Sequence, residues 1–343
     1  MSAVEADPGT TVAPRSLSWA RLARRHAWTA GVYVLLVALF VYWSTIPAAW
    51  GQFDVQSLVI DAMPFAFAAM AQAVVIISGG IDLSIGSMMS LVNVLSAKYW
   101  LADAVTAEPV SFRRGIVIAL LLIAGAAAAG ALTGLIIQVT RVADIIVTLA
   151  MLFVWAGAAL AVMEIPGGAV PPEITKLGVG YTGTAWLPTG VVIIVIVVLF
   201  VWVPIRWTKP GLAIYAIGSS RSASFLSGIS VAWTRVGAYA LGGALAAMGG
   251  LSLTATSGIG DALSGQYYTL NSVAAVVLGG VSLVGGIGGL IGPIAAAFVL
   301  TLVKTILVLK GVDQNWAQVI QGTLIVIVVM IGGLALRARG KHA

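Results

Sequence analysis

The chain has 343 residues, of which 60% are hydrophobic and 9% are charged, and its mean hydropathy is +1.06. A water-soluble domain usually carries about 25% charged residues, so this composition excludes that class and predicts an integral membrane protein. The chain has no cysteine, which excludes disulfides and thiol chemistry, and its two histidines lie near the termini. The formal net charge of +6 is interpreted as cytoplasmic loop charge and not as a nucleic-acid-binding surface.

The apolar runs are about 20 residues long, which is typical of membrane-spanning helices and not of alternating barrel strands. The sequence therefore predicts an all-α integral membrane protein, a polytopic bundle of about ten transmembrane helices with broken or re-entrant segments. The predicted spans are residues 28–50, 55–79, 83–102, 115–138, 143–163, 188–205, 233–257, 268–285, 289–309 and 316–336.

Basic residues predict the orientation of these spans. A basic tail over 1–27 places the N-terminus in the cytoplasm, and an even number of spans returns the basic tail 337–343 to the same side. Between the tails we predict a single transmembrane domain, 28–336, with its longest cytoplasmic loop at about 206–235. One loop disagrees with this orientation, because its basic residues Arg113 and Arg114 fall on the outer side of the membrane.

Two Gly-Gly pairs interrupt very apolar segments, VVIISGGIDLSIGS at 74–87 and AAVVLGGVSLVGGIGGLIGP at 274–293. Irregular backbone inside a bilayer is tolerated only where protein or water satisfies its amides, so paired interruptions indicate a translocation path. In the ten-span arrangement both breaks end spans that run from outside to inside, which predicts an inner gate. The predicted gate residues are Gly79, Gly80, Gly279, Gly280, Gly285 and Gly286.

Small polar residues follow or flank these breaks. Asp82 is either a gate residue or, with Ser84, a cap of the third helix, and capping is the commoner use of such residues. Neutral hydrogen-bonding groups suit a translocation path, but they also serve interhelical contacts. Lys304 lies inside the ninth span, where it snorkels, pairs with a carboxylate or faces a wet cavity. The predicted path residues are Gln72, Asp82, Ser84, Asn271 and Ser282.

The 206–235 loop contains a turn signal, Lys209-Pro210-Gly211, followed by good helix formers. Ser219 or Ser220 is expected to cap a short helix over 222–226 that Gly228 ends. Such a helix either lies on lipid, docks into a partner's groove or merely connects two spans.

Four passages of this chain, 79–87 (GGIDLSIGS), 144–152 (DIIVTLAML), 214–231 and 273–293, carry a family resemblance. In order and spacing the chain resembles the permease subunits of ATP-binding-cassette importers of the ribose/xylose/galactose class, in the branched-chain amino acid permease superfamily. The resemblance covers about residues 30–333. It implies a multi-pass protein of the bacterial inner membrane that forms the path for a monosaccharide or related polyol.

The resemblance also implies partners, namely a separate ATPase subunit, an extracytoplasmic sugar-binding protein that selects the substrate, a second permease chain, identical or not, and membrane lipid. No nucleic acid, metal or cofactor is expected. The chain has no G-x-x-x-x-G-K-[ST] motif and no plausible Ser-His-Asp set, so it is not expected to be an enzyme and has no catalytic residues. The residues expected to couple to the ATPase are Ala216, Ile217, Gly218, Ser219, Ser220, Arg221, Ala223, Leu226, Ser227 and Gly228.

The coupling loop departs from the family pattern, because the segment 219–224 (SSRSAS) lacks the usual acidic residues. That departure predicts an altered ATPase contact, or a second permease chain that supplies the usual loop. Ala143-Asp144 likewise replaces a more usual proline and aromatic pair.

An ATP-independent secondary transporter or facilitator of a small polar solute is the alternative function. It would need a coupling-ion site, and the acids within the spans, Asp61, Asp82 and Asp144, are few and lie near span ends. A membrane receptor or scaffold is the third reading, which the short outer loops disfavour.

Overall fold

A computed structural model of the chain describes residues 19–46, 50–103 and 108–340, and these are almost entirely helical. A small antiparallel ribbon pairs β1 (Leu101–Asp103) with β2 (Glu108–Pro109). A π-helical turn, Val198–Trp202, joins α7 to α8. The helices are α1 (Trp19–Ser44), α2 (Gln52–Ile77), α3 (Ile85–Tyr99), α4 (Phe112–Thr140), α5 (Asp144–Val162), α6 (Pro172–Val179), α7 (Thr189–Val197), α8 (Val203–Trp207), α9 (Lys209–Ser219), α10 (Arg221–Leu226), α11 (Val231–Ser257), α12 (Tyr268–Leu278), α13 (Ile291–Leu309) and α14 (Gln314–Gly340).

Among the described residues, six helical segments are long and apolar enough to cross a membrane: α2, α4, α5, the continuous α7–α8 segment, α11 and α13. Each of the ten predicted spans overlaps a helix, but α3 has only 15 residues and α12 only 11. Helix α12 is short because the chain stops being helical at Gly279, whereas α3 begins only after the turn that follows the first break and ends at Tyr99, just before β1. The helical membrane architecture is confirmed, and the number of ten spans stays a prediction.

The tail boundaries differ from the predicted ones. Helix α1 already begins at Trp19, inside the predicted 1–27 tail, and α14 continues to Gly340, inside the predicted 337–343 tail. The remainder of each tail, 1–18 and 341–343, lies outside the described residues.

Helix α2 is the centre of the bundle. Of the most apolar 18-residue stretch of α2, 89% is buried, whereas only 17% and 22% of the corresponding stretches of α4 and α5 are buried. Large side chains such as Phe65, Phe67 and Met70 are completely enclosed. A helix that is apolar all round belongs in the interior, and α11, α12 and α13 pack around this one.

Helices α4 and α11 approach each other through glycine. Gly130 faces the backbone carbonyl of Tyr239, and Gly243 faces that of Ala126 across the interface. A Cβ added at Gly134 would lie 3.0 Å from the Cα of Val236. Small residues four apart allow this close packing, as the Gly- and Ala-rich sequences of the two helices predict.

Gly130→Leu is expected to destabilise the bundle, because the new side chain has to displace the backbone of α11. Overpacking of a tight core costs about 1–3 kcal/mol. Gly125→Leu, on the same helix with no heavy atom within 4 Å of its Cβ position, is the matched control. Thermal unfolding of the purified chain in detergent measures both, and equal melting temperatures would contradict close α4–α11 packing.

Candidate functional site

The first glycine pair is a helix C-cap. At the end of α2 the N–H of Gly79 donates to Ile76 O (2.9 Å), and the N–H of Gly80 donates to Val75 O (3.1 Å). This bond pattern is a Schellman motif, which requires a left-handed residue, and Gly79 has φ +80°. The break therefore satisfies the last carbonyls of α2 inside the bundle.

The second glycine pair ends α12 in the same way. The N–H of Gly280 donates to Val277 O (3.0 Å), and the N–H of Val281 donates to Val276 O (3.1 Å). The left-handed residue is Gly280, with φ +84°. The two breaks therefore share one geometry but are offset by a residue, because the left-handed glycine is the first of one pair and the second of the other.

A polar side chain stabilises the turn after each break. Asp82 Oδ1 accepts from the backbone N–H (2.8 Å) and the hydroxyl (2.7 Å) of Ser84, and Ser282 Oγ accepts from the N–H of Val284 (3.3 Å). Ser84 stands at the N-cap position of α3, but its side chain makes no cap hydrogen bond. Asp82 thus supports the start of α3 through a turn that precedes it, in partial agreement with the capping interpretation.

Gln72 holds the same segment from inside α2. Its amide donates to Asp82 O (2.8 Å) and accepts from Asp82 N–H (3.3 Å) in the orientation that satisfies both groups. Both side chains are buried. Gln72 therefore fixes the backbone of the first break.

The two breaks contact each other directly. The N–H of Gly286, in the second break, donates to Ile77 O (2.9 Å), at the end of α2. A Cβ added at Gly285 would lie 2.9 Å from the Cα of Gly79. Segments 200 residues apart in the sequence thus share a hydrogen bond between their backbones.

The α9–α10 turn completes this contact. Gly218 lies against Ile77 O and Gly286 N, where a side chain has no room, and Arg221 Nη2 donates to Gly79 O (2.9 Å). We call the meeting point of Gly79, Gly218, Arg221 and Gly285–Gly286 the break junction. The sequence singled out all three segments, but nothing in it showed that they touch.

The short helix in the loop forms as predicted. Ser220 caps α10 by accepting from the N–H of Ala223 (3.3 Å), and Gly228, with φ +79°, follows its end. The hydroxyl of Ser219 donates to Tyr215 O instead (3.0 Å).

A buried ion pair supports the first break from the other side. Asp144, the first residue of α5, pairs with Arg235 of α11 and accepts from Tyr239 Oη (3.0 Å). A Cβ added at Gly80 would lie 2.7 Å from Asp144 Oδ2 and 2.7 Å from Tyr239 Oη. This cluster was missed as a unit, because its acid and its base are 91 residues apart.

Two cavities open at different parts of the bundle. One, of about 730 Å³, adjoins the break junction and is lined by Arg141, Asp144, Arg221 and Arg235. The other, of about 720 Å³, lies between α2, α11, α12, α13 and α14, and Lys304 lines it. Of the three options for Lys304, the structure therefore shows the cavity.

The five predicted path residues line neither cavity. Gln72, Asp82, Ser84 and Ser282 are engaged at the breaks, and Asn271 donates to Tyr267 O (2.7 Å) within its own helix. Among the described residues no group of three or more His, Cys, Asp or Glu is placed to hold a metal ion.

Comparison with known proteins gives one consistent picture. The model of the family described as the permease component of branched-chain amino acid transport systems matches residues 55–329. The ribose import permease protein RbsC of Escherichia coli is 32% identical over 78% of this chain and 81% of its own length. The fructose import permease protein FrcC of Rhizobium meliloti is 30% identical over 76% of this chain and 72% of its own length. No solved structure matches the chain.

Asp144→Asn and Arg235→Met are each expected to destabilise the protein strongly, because each leaves one buried charge without its partner. Such losses are about 3–5 kcal/mol, whereas replacing both charges together is often close to neutral. The free energies of unfolding of the two single variants and of the double variant, measured in detergent, give the coupling energy between Asp144 and Arg235. Arg141→Met, an exposed arginine on the same cavity, is the control, and additive effects of Asp144 and Arg235 would contradict the pairing.

Proposed function

The chain belongs to the permease-component family of branched-chain amino acid transport systems, and we propose that it is the membrane-spanning subunit of an importer for a monosaccharide or related polyol. Its relatives carry the names of ribose and fructose import permeases. The family and the apolar helices identify it as a multi-pass protein of the bacterial inner membrane. In this proposal a separate ATP-binding-cassette ATPase supplies energy, and an extracytoplasmic sugar-binding protein delivers the substrate.

One observation carries the proposal, namely that the break junction joins the α9–α10 turn to both helix interruptions. A force applied to α10 reaches the first break through the bond from Arg221 to Gly79 O and the second through the close contact of Gly218 with Gly286. A displaced turn therefore has to move both breaks. We propose that Gly79, Gly80, Gly279, Gly280, Gly285 and Gly286 form the inner gate that this motion opens.

The outer surface of α10 suits a protein partner. Phe225 and Leu226, on its last turn, are 71% and 86% exposed, next to the polar residues of the loop. Adjacent exposed large apolar side chains on a loop helix are typical of an interaction site. We propose that the ATPase binds here, through the segment from Ala216 to Gly228.

The contact made by Arg221 suggests a physical reason why this loop lacks the usual acidic residues. The segment that usually carries an acid has an arginine here, and its guanidinium is used internally on the carbonyl of Gly79. We propose that this bond takes over part of the coupling. The ATPase contact then relies on apolar packing around Leu226 more than on an ion pair.

Charge distribution supports placing the break junction at the cytoplasmic face. Arg141, Arg221 and Arg235 line the cavity beside it, Arg206 lies at the end of α8, and Lys209 is the first residue of α9. Of the acids elsewhere, Glu164 and Asp261 lie in loops between other helix ends, Glu108 lies in β2 and Glu173 lies in the first turn of α6. Cytoplasmic loops carry an excess of Lys and Arg, so we propose ten spans with both termini on the side of the junction.

The remaining assignments follow from this placement. We propose one transmembrane permease domain over 28–336, pairing with a second permease chain, identical or not, and lipid contact along α4 and α5. Gln72, Asp82, Ser84, Asn271 and Ser282 then adjoin the path by fixing its backbone, a role that their hydrogen bonds support.

Leu226→Asp is expected to abolish stable association with the ATPase and to reduce sugar uptake correspondingly, because it places a charge in an apolar contact. The side chain is exposed, so the variant should fold normally. Ile165→Asp, a 79% exposed residue in the loop after α5, is the matched control.

Co-purification of the tagged permease with its ATPase, together with uptake into proteoliposomes, tests this. Retained ATPase binding by Leu226→Asp, or equal loss in Ile165→Asp, would contradict the docking assignment. Uptake that needs neither ATP nor an ATPase would refute the importer itself.

A further inference from the structure

The cavity around Lys304 has the size and the lining of a small-molecule site. Its volume of about 720 Å³ falls within the range of about 300–1,000 Å³ that ligand pockets occupy. It is lined by one acid, Asp61, one base, Lys304, two tyrosines and several amides and hydroxyls. Ionisable side chains within transmembrane segments are expensive and usually serve a function.

The two charges line this cavity without pairing. The only ion pair among the described residues joins Asp144 and Arg235, so the Asp61 carboxylate and the Lys304 ammonium are more than 4 Å apart. The ammonium lies 5.6 Å from the centroid of the Tyr267 ring instead. A charge pair that is left open in a cavity has donors and acceptors available for a ligand.

Gln321 adds an unused hydrogen-bond donor to the wall of the cavity around Lys304. Its side chain is only 2% exposed, and its Oε1 accepts from Tyr267 Oη (3.1 Å). Its Nε2 has no hydrogen-bond partner among the described residues. An unmade hydrogen bond of a buried amide costs about 1–3 kcal/mol, so a hydroxyl group that reaches this position is favoured.

Aromatic rings form the other part of the lining. Tyr267 and Tyr268 meet edge to face at 5.2 Å between centroids, and Phe65 lies 6.0 and 5.9 Å from them. Such a cluster keeps its rings in fixed positions. Ring faces offer the flat apolar surface on which the C–H face of a pyranose or furanose packs.

We propose that this cavity is the outer sugar site of the permease, specific for a neutral polyhydroxylated ligand. Asp61 accepts hydrogen bonds from ligand hydroxyls, Lys304 donates to them, and the two tyrosines pack against the ring. The lining carries one negative and one positive charge, so an anionic sugar leaves Asp61 opposed by a like charge. The inference rests on the proposed importer function and adds the site and the charge class of its ligand.

The position of the cavity fits an entry site. Asp61 precedes the first break by about 16 residues of α2, which corresponds to about 24 Å along a helix. A sugar bound there lies well away from the break junction, so the inner gate remains separate. This separation also explains why the polar residues near the breaks do not line the cavity.

The natural absence of cysteine makes the cavity directly testable. Thr305→Cys, in its wall, is labelled with a small methanethiosulfonate reagent in the purified permease–ATPase complex without binding protein. D-ribose, D-fructose, D-xylose and D-galactose are tested as protectants, with D-galacturonate, which keeps the pyranose ring of D-galactose and adds a carboxylate, as the anionic comparison. Asn315→Cys, an exposed position outside the lining, is the control.

We expect at least one neutral sugar to slow labelling of Thr305→Cys but not of Asn315→Cys, and D-galacturonate to protect less than D-galactose. Adding Asp61→Asn or Lys304→Met should raise the sugar concentration for half protection about 10- to 100-fold, as removal of a hydrogen bond to a charged group implies. Asp61→Glu, which keeps the carboxylate, should restore most of the protection and so separates ligand contact from misfolding.

Uptake by the same complexes, with binding protein added, separates the two proposals. Sugar uptake without any protection at Thr305→Cys would overturn the cavity site and leave the importer function intact. Protection without ATP-dependent uptake would support the site and refute the importer function. Stronger protection by D-galacturonate than by every neutral sugar would overturn the charge class.

Discussion

The fold depends on satisfying backbone amides where two helices stop inside an apolar bundle. An unpaired peptide group in a hydrocarbon-like interior costs several kcal/mol, so neither α2 nor α12 can end there without partners. Each helix first satisfies its own last carbonyls through a Schellman cap built on one left-handed glycine. The remaining groups are shared, since Ile77 O accepts from Gly286 N–H and Gly79 O accepts from Arg221. The breaks and the α9–α10 turn are therefore one structural unit.

The two groups of intramembrane charges differ in the same physical terms. Asp144 and Arg235 are paired, largely buried and joined by the Tyr239 hydroxyl, so they hold the first break in position. Within the described part of the chain, Asp61 and Lys304 form no ion pair and both line a cavity, so their hydrogen-bonding groups are available to a ligand. An acid and a base that form an ion pair suit a structural role, whereas an acid and a base that do not pair are available to bind a ligand.

Local patterns in the sequence predicted local structure well. Ser220 and Gly228 bound α10 because capping depends on neighbours within a few residues, and the Gly-Gly pairs mark helix ends for the same reason. Contacts between distant segments could not be read from one sequence. The pairing of Asp144 with Arg235 and the contact of Gly79 with Gly285 have no local signal, and Gln72 was expected to line the path although it braces Asp82.

In the proposed importer, the breaks lie at the cytoplasmic face and move with the ATPase. The most direct measurement is the labelling of a single cysteine at Val284, an 84% exposed residue in the second break, by a membrane-impermeant maleimide. In the assembled importer we expect labelling only from the cytoplasmic side, at a rate that changes when a non-hydrolysable ATP analogue closes the ATPase. Labelling from outside, or a rate that nucleotide does not alter, would contradict the account.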